Sequence, residues 1–473
     1  MTLPYWISFY YVLAAFIGLY FIWKYRTSSI EILFILMAFN GAFSYYIPGG
    51  DKVMKIITTL FVIYVFMHEQ LWKYIPVYRW LWLFFSVYSV WFFFDSLALH
   101  QDNVIFTFAQ YSKVLIPYIL LFAFIKMRDT NPILLQHFNH LIFLILLVQI
   151  GMSLLRYMLN GFHYWEGMVG TFGGIRGGGA GTGLPLIALC WVALNSNMKI
   201  KGLKAWLFLI GLLVIGVAAG KRAVILLFPI LYFVLSIFVS KKKYNVWMLV
   251  SLAVIPLIFV LGVKMTPSLN PDNKVWGTFD LDYAIEYVKS YSGIDDTPKP
   301  QMQITYINKK EVYQGRIGSV KLWWKLFSDY ENYNDEAWYG VGLQRIYGAE
   351  YEFYRDSDYN FGLDHRGSMT GIFMHFKALG VIGLILFLLY YVQMFFIPKY
   401  KKYGLVVLGV ALFDFVFYNT TIIREPIIAT LVVFCLVYAD IQYTNKGEFI
   451  GKNTKFYNNS PLGIHRQYTK YKY

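Results

Sequence analysis

Acidic side chains are scarce in this sequence. Asp and Glu number 27 in 473 residues against 42 Lys and Arg, and charged residues of all four kinds make up only 15% of the chain. With 58% hydrophobic and 20% aromatic residues, that poverty of charge excludes an ordinary water-soluble surface. Cysteine is nearly absent: Cys190 and Cys435 both lie in apolar segments and supply no disulfide framework. No glycine-rich turn ends in G-K-S or G-K-T, so nucleotide binding has no support, and no H-E-x-x-H motif is present. "HFNH" (137–140) has two histidines three apart with no further ligand nearby in sequence. The acidic pairs "DLD" (280–282) and "DSD" (356–358) read as solvated loop. A reaction without metal or cofactor is the expectation. No removable signal peptide is evident, because "MTLPYW" lacks a basic start and the first apolar run ends at Lys24 and Arg26. No internal repeat of about 20–50 residues is visible.

What the sequence has is a series of long apolar runs. They lie near 5–23, 29–47, 53–68, 79–98, 104–125, 138–159, 180–196, 203–219, 222–240, 245–263, 369–396, 403–420 and 426–441. Runs of this length cross roughly 30 Å of hydrocarbon as helices, which predicts an all-α polytopic membrane protein with about thirteen spans. Hydrophobicity drops over 264–366. The expected organisation is a bundle of about ten spans in 1–263, a loop domain in 264–366, about three further spans in 367–441, and a basic tail in 442–473.

The cations orient that bundle. Alternate loops hold Lys24 and Arg26, Lys73 and Arg79, Lys126 and Arg128, then Lys199, Lys201 and Lys204, then Lys241, Lys242 and Lys243, then Lys399, Lys401 and Lys402. Lys and Arg concentrate on the cytoplasmic side of membrane proteins. The N-terminus and the large loop are therefore expected outside, and the tail inside. Most of the +15 net charge is then a topology signal, and no nucleic-acid partner is implied.

The informative cations are those on the wrong side: Arg176, Lys221, Arg222, Arg316, Arg345, Arg355, Arg366 and Arg424. Lys113, Arg156 and Asp414 fall inside spans, where charge is expensive and faces a bundle interior or a cavity. The plain alternative for each is an internal ion pair, such as Asp414 with Lys113. As a set, the outer cations suit a lipid-linked phosphate or diphosphate, because the guanidinium fork matches phosphate oxygens. "GGIRGGGAGTG" (173–183) carries Arg176 just before the seventh run. Its glycines allow close approach of backbone to a ligand, or equally a turn or close helix packing. In the large loop, "GRIGSVKLWWKLFSD" (315–329) sets Arg316, Val320, Trp323 and Phe327 on one helical face. Trp323, Trp324, Trp338 and Tyr339 are candidates for stacking on sugars, though such rings also anchor at a membrane interface.

"GR" before a Trp-containing helix, then "YGVGLQR", then a His just before a span containing "ALGVIGLILFLL" resembles the O-antigen polymerase and O-antigen ligase superfamily. "GKRAVILL" is similar to that family's outer-end Arg at the start of a middle span. The resemblance covers the layout from about 160 to 440; the first five spans match only in hydropathy. Where the family commonly has Asn after the loop His, this sequence has Arg366. The resemblance implies a glycosyltransferase-C-like bundle with a large periplasmic loop before the eleventh span. It implies transfer of an oligosaccharide from undecaprenyl diphosphate to an acceptor hydroxyl at the outer face of the bacterial inner membrane. Arg222, Arg316 and His365 take catalytic roles by resemblance, and Lys221, Arg176 and Arg424 join the diphosphate site from topology. Polymerisation of repeat units is the first expectation, transfer of finished polymer to lipid A–core the second. A transporter for the lipid-linked glycan is the third; internal inverted repeats and midplane charges would mark it. Membrane lipids and a chain-length regulator are the further partners implied.

Overall fold

The computed structural model describes residues 5–26, 28–47, 50–161, 170–171, 180–196, 203–219, 221–239, 256–257, 259–264, 269–272, 276–292, 335, 337–348, 370–398, 400–417 and 425–444. Among these residues the regular structure is helical and no strand occurs. The α-helices are α1 (Tyr5–Lys24), α2 (Ser29–Ala38), α3 (Asn40–Tyr45), α4 (Gly50–His68), α5 (Arg79–Phe93), α6 (Val104–Thr130), α7 (Pro132–Leu159) and α8 (Ala180–Ser196). They continue with α9 (Leu203–Ala218), α10 (Arg222–Val239), α11 (Leu281–Ser292), α12 (Leu343–Tyr347), α13 (Gly371–Gln393), α14 (Lys401–Phe417) and α15 (Pro426–Thr444).

Among the described residues, five helical segments are long and apolar enough to cross a membrane: Tyr5–Lys24, Arg79–Leu99, Val104–Thr130, Pro132–Leu159 and Gly371–Phe396. Helix is the expected conformation in hydrocarbon, because it satisfies its own backbone N–H and C=O groups. Four helix starts, whose first N–H groups have no internal partner, are capped by side chains. Ser28 Oγ accepts from Glu31 N, Asn103 Oδ1 from Phe106 N, Asn131 Oδ1 from Leu134 N, and Thr370 Oγ1 from Phe373 N. α1 buries Tyr10, Tyr11, Ala14 and Phe21 yet leaves Phe9, Phe16, Leu19 and Trp23 exposed. A helix apolar on its outer face as well as its inner one fits a lipid surround.

The helices depart from the sequence expectation in several places, among them a longer α6 that runs to Thr130 and not 125. The run 29–47 is broken at Phe39 (φ −111°, ψ 16°) into α2 and α3. α7 begins at Pro132, six residues before the expected start at 138, because Asn131 caps it and Pro132 suits the first helical turn. α13 is continuous in sequence but kinked at Gly380 (φ 67°, ψ −175°).

One main core joins α1, α2, α4 to α10 and α12 to α15. Its centre is aromatic: Phe85 stacks on Tyr118 at 3.6 Å and both face Tyr390. Ala337, Val341, Leu343 and Ile346, from the polar stretch between α10 and α13, belong to this same core.

Helix ends gather into two sets. At one, Lys126 meets Glu69 at 2.7 Å, Arg128 meets Asp440 at 2.8 Å and Tyr78 at 3.2 Å, and His137 meets Glu31 at 2.8 Å. These contacts collect the C-terminal ends of α4, α6 and α15 with the N-terminal ends of α2, α5 and α7. The opposite set holds the end of α5, the start of α6, the start of α13 and residues 337–348.

Candidate functional site

The opposite end departs from regular backbone in several places at once. α5 runs into a π-helical turn, Phe94–Leu99. Such turns inside membrane helices are rare and concentrate at functional sites. The turn carries Asp95, which is fully buried and whose two carboxyl oxygens have no hydrogen-bond partner among the described residues. The chain then reverses: His100 N donates to the Asp95 carbonyl at 3.1 Å, and Asp102 N to the Ser96 carbonyl at 2.8 Å. Gln101 lies at φ 53°, a left-handed value uncommon outside glycine.

Residues 337–348 lie on this turn. Asp102 Oδ2 accepts from Leu343 N at 2.7 Å, at the start of α12. Gln344 Oε1 accepts from Asn103 N at 2.9 Å, at the start of α6. Each side chain thus satisfies an orphan donor at the other's helix start, across 241 residues of chain. His100 Nε2 is 3.3 Å from the Tyr339 carbonyl.

The kink in α13 completes the seat. A left-handed Gly380 interrupts the helical ladder, which frees carbonyls in the turn before it. Val341 N donates to the Lys377 carbonyl at 2.7 Å, Gly342 N to the Ala378 carbonyl at 3.2 Å, and Trp91 Nε1 to the Leu379 carbonyl at 3.2 Å. Three consecutive carbonyls therefore find donors outside their own helix, which accounts for the backbone groups the kink would otherwise strand. Gly342 (φ 94°) and Gly340 (φ 78°) allow the close approach. A Cβ on Gly342 would sit 2.9 Å from His100 Cβ, and one on Gly380 would collide with the Trp338 carbonyl.

The electrostatics follow from burial. Burial pushes the His100 imidazole below its ordinary value; the Tyr339 carbonyl opposes that shift and the Arg345 charge adds to it. Asp95 Oδ1 lies 3.7 Å from His100 Nε2. Ser96 Oγ and Thr107 Oγ1 are also buried without a hydrogen-bond partner. Lower in α13, His375 and Lys377 are both buried, and the His375 ring packs 4.6 Å from Phe387.

The expected site residues are distributed as follows. Trp338 and Tyr339 are both in the seat and partly exposed; the Tyr339 ring stacks on Trp91 at 6.0 Å. Lys221 is half-buried in the tight turn between α9 and α10, its N donating to the Gly216 carbonyl at 2.9 Å. Arg222 opens α10, and its side chain lies outside the described residues. α9 runs parallel to α7, with Phe208 against Phe143 at 5.5 Å, and Gly211 closes on Ile150. The Lys221 turn therefore shares an end with the last turn of α7. There Arg156 is fully buried, with its guanidinium 5.3 Å from the Tyr10 ring and 5.7 Å from Tyr11. Beside it, Gly170 and Thr171 are pinned. Tyr10 OH donates to the Gly170 carbonyl at 2.6 Å, Gly170 N to Ser153 Oγ at 2.8 Å, and Thr171 N to Gln149 Oε1 at 2.7 Å. His365, Arg316, Arg176, Arg424, Trp323 and Trp324 lie outside the described residues. Asp414 is fully buried in α14. His137, of the paired histidines, is engaged by Glu31.

Asp95, His100 and Asp102 were not anticipated as site residues. Their signal was in the connector "FDSLALHQDN" (94–103), which packs three titratable residues between two apolar runs.

Among the described residues the chain is all-helical, with apolar helices consistent with a membrane protein, and the α5–α6 turn, residues 337–348 and the kink of α13 meet at one end. No protein-family model matches the chain, and no curated protein matches it.

Proposed function

We propose that the chain is a bacterial inner-membrane polymerase that joins undecaprenyl-diphosphate-linked oligosaccharide repeat units into O-antigen, capsular or exopolysaccharide. In this reading about thirteen spans place the N-terminus and the 264–366 region outside and the tail inside. Lys221, Arg222, Arg176, Arg316 and Arg424 surround the donor diphosphate. That group gains charge as it departs, and positioned cations stabilise it most in the transition state. His365 meets the acceptor hydroxyl, and Trp323, Trp324, Trp338 and Tyr339 offer faces to the sugars. A single displacement inverts the anomeric carbon and requires neither metal nor cofactor. A chain-length regulator is the expected protein partner.

The observation that carries this reading is the seating of 337–348. The stretch contains the "YGVGLQR" on which the resemblance rests. It is bonded to the α5–α6 turn and to the kink in α13, so that loop and membrane helices form one wall. Such a wall suits a substrate with a lipid tail in the membrane and a glycan outside it.

The test is purified protein in detergent with lipid-linked repeat units. The expected result is a ladder of longer glycans with the anomeric configuration inverted by NMR. Extension only onto a lipid A–core acceptor would replace polymerase by ligase. Unchanged glycans, together with movement of the same substrate across vesicle membranes, would replace it by transporter. Pro300→Cys should react with an impermeant reagent in intact spheroplasts while Lys455→Cys does not; the reverse would overturn the topology and the mechanism together.

A further inference from the structure

His100 and Asp95 face each other across the π-helical turn. Nε2 of His100 is 3.3 Å from the Tyr339 carbonyl, an atom that only accepts. Nε2 therefore carries the hydrogen, and in the neutral ring the lone pair resides on Nδ1. Nδ1 makes no hydrogen bond among the described residues, and 15% of the side chain reaches solvent. Asp95 Oδ1 stands 3.7 Å behind the protonated nitrogen, with both of its oxygens buried and without other hydrogen-bond partners. A carboxyl beside one ring nitrogen, with the other nitrogen unbonded among the described residues, is an arrangement by which a histidine base is oriented. Contacts of this kind are often long before substrate binds.

We propose that His100 is the acid–base residue of glycosyl transfer, with Nδ1 taking the proton of the acceptor hydroxyl and Asp95 supporting the imidazolium from behind. This rests on the polymerase reading above and makes it specific: the base belongs to the α5–α6 turn, and His365 positions the acceptor. In the step, the Nδ1 lone pair takes the hydroxyl proton. An oxygen lone pair of the acceptor forms the bond to the anomeric carbon. The bond from that carbon to the lipid diphosphate breaks, its electron pair leaving on the diphosphate oxygen. The imidazolium then returns the proton to the departing diphosphate or to water. The titratable groups around the ring come from both sides. Asp95 and Asp102 belong to the turn itself, and Arg345 to the seated segment. Burial and Arg345 keep the ring neutral near pH 7, the form a base needs. The half-exposed Trp338 and Tyr339 beside it offer ring faces to the acceptor sugar.

The alternative is that His100 only bolts Tyr339 in place, and glutamine separates the two. His100→Gln keeps a side-chain N–H for the Tyr339 carbonyl but cannot take a proton. In the detergent assay, with folding checked by gel filtration, His100→Gln should lose on the order of a hundredfold or more in kcat with KM little changed. The wild-type rate should fall on the acid side as the imidazole protonates, and the residual rate of His100→Gln should lack that limb. A folded His100→Gln enzyme with near-normal kcat, or one that retains the acid limb, overturns the assignment and leaves the polymerase reading intact. A wild-type protein that elongates no lipid-linked glycan overturns both.

Discussion

At one end of the bundle Lys126 meets Glu69, Arg128 meets Asp440 and His137 meets Glu31, each within 2.8 Å. At the other end Asp95 is sealed from water with neither oxygen bonded, Gln101 and three glycines hold left-handed backbone, and a helix is kinked at Gly380. The first end closes its charges on one another and so fixes helix ends to helix ends. The second end leaves polar groups open and holds irregular backbone through contacts from a distant segment. Strained backbone and unbonded buried polar groups persist only where the surroundings over-determine them, and they cluster where ligands bind. The comparison separates charge that builds the bundle from charge available for chemistry. It also shows that the Lys126 and Arg128 cations, read from sequence as orientation signals, have structural partners as well.

The comparison breaks most directly at the cations proposed to hold the donor diphosphate. Arg222→Ala and Arg316→Ala should each remove most polymer while the protein is made and inserted normally. Losing a charge-assisted contact to a developing phosphate charge raises a barrier by about 2–4 kcal/mol, roughly a hundredfold or more in rate. Lysine at either position should rescue only in part, because the forked geometry is lost. Glycan length on gels measures this, and near-normal ladders from both alanine variants would return these residues to a structural role.

The closed end should respond oppositely, in stability and not in turnover. Arg128→Ala removes the 2.8 Å ion pair to buried Asp440, which should cost about 3 kcal/mol. Replacing both, as Arg128→Met with Asp440→Leu, should recover most of that loss. Thermal unfolding in detergent reads the difference, and kcat of the folded fraction should stay at the wild-type value. A fall in kcat would mean that the two ends are not separate in function.

A smaller effect is expected at the seat itself. Asp102→Ala strands Leu343 N and should cost about 1–3 kcal/mol in the docking of 337–348. The readout is faster proteolytic cleavage within 337–348, with the helices of the bundle left intact. Unchanged cleavage would show that the kink at Gly380 holds the segment without Asp102.

The smallest effect is pH dependence at Glu69. Burial raises its carboxyl, but the hydrogen bond and charge of Lys126, with His68, outweigh burial and hold it below its ordinary value. Its stabilisation is therefore complete above the ordinary carboxylate range and is lost as pH falls through the lowered folded value. The pair is partly exposed, so about 1 kcal/mol or less is at stake. The Tm difference between wild type and Lys126→Ala should shrink as pH is lowered from about 7 to about 4. A difference that grew would reverse the sign of the coupling.

The membrane class and the helices were legible in the residues themselves. An apolar run in lipid has to satisfy its own backbone, so run length and flanking Asn, Ser, Thr and Pro decide where a helix begins. α8, α10 and α15 start where the runs "GTGLPLIALC", "RAVILLF" and "PIIATLVV" indicate. The break at Phe39 and the early start at Pro132 were less visible, because apolar content is continuous across the first and only the cap marks the second. The tertiary structure alone decided which titratable groups meet. His100 reaches the Tyr339 carbonyl 239 residues away, and Asp102 reaches Leu343 N across 241. No spacing rule connects positions that far apart. They meet because the kink at Gly380 frees carbonyls that only an incoming backbone can satisfy, and the segment that satisfies them brings Tyr339, Leu343 and Gln344 onto the α5–α6 turn.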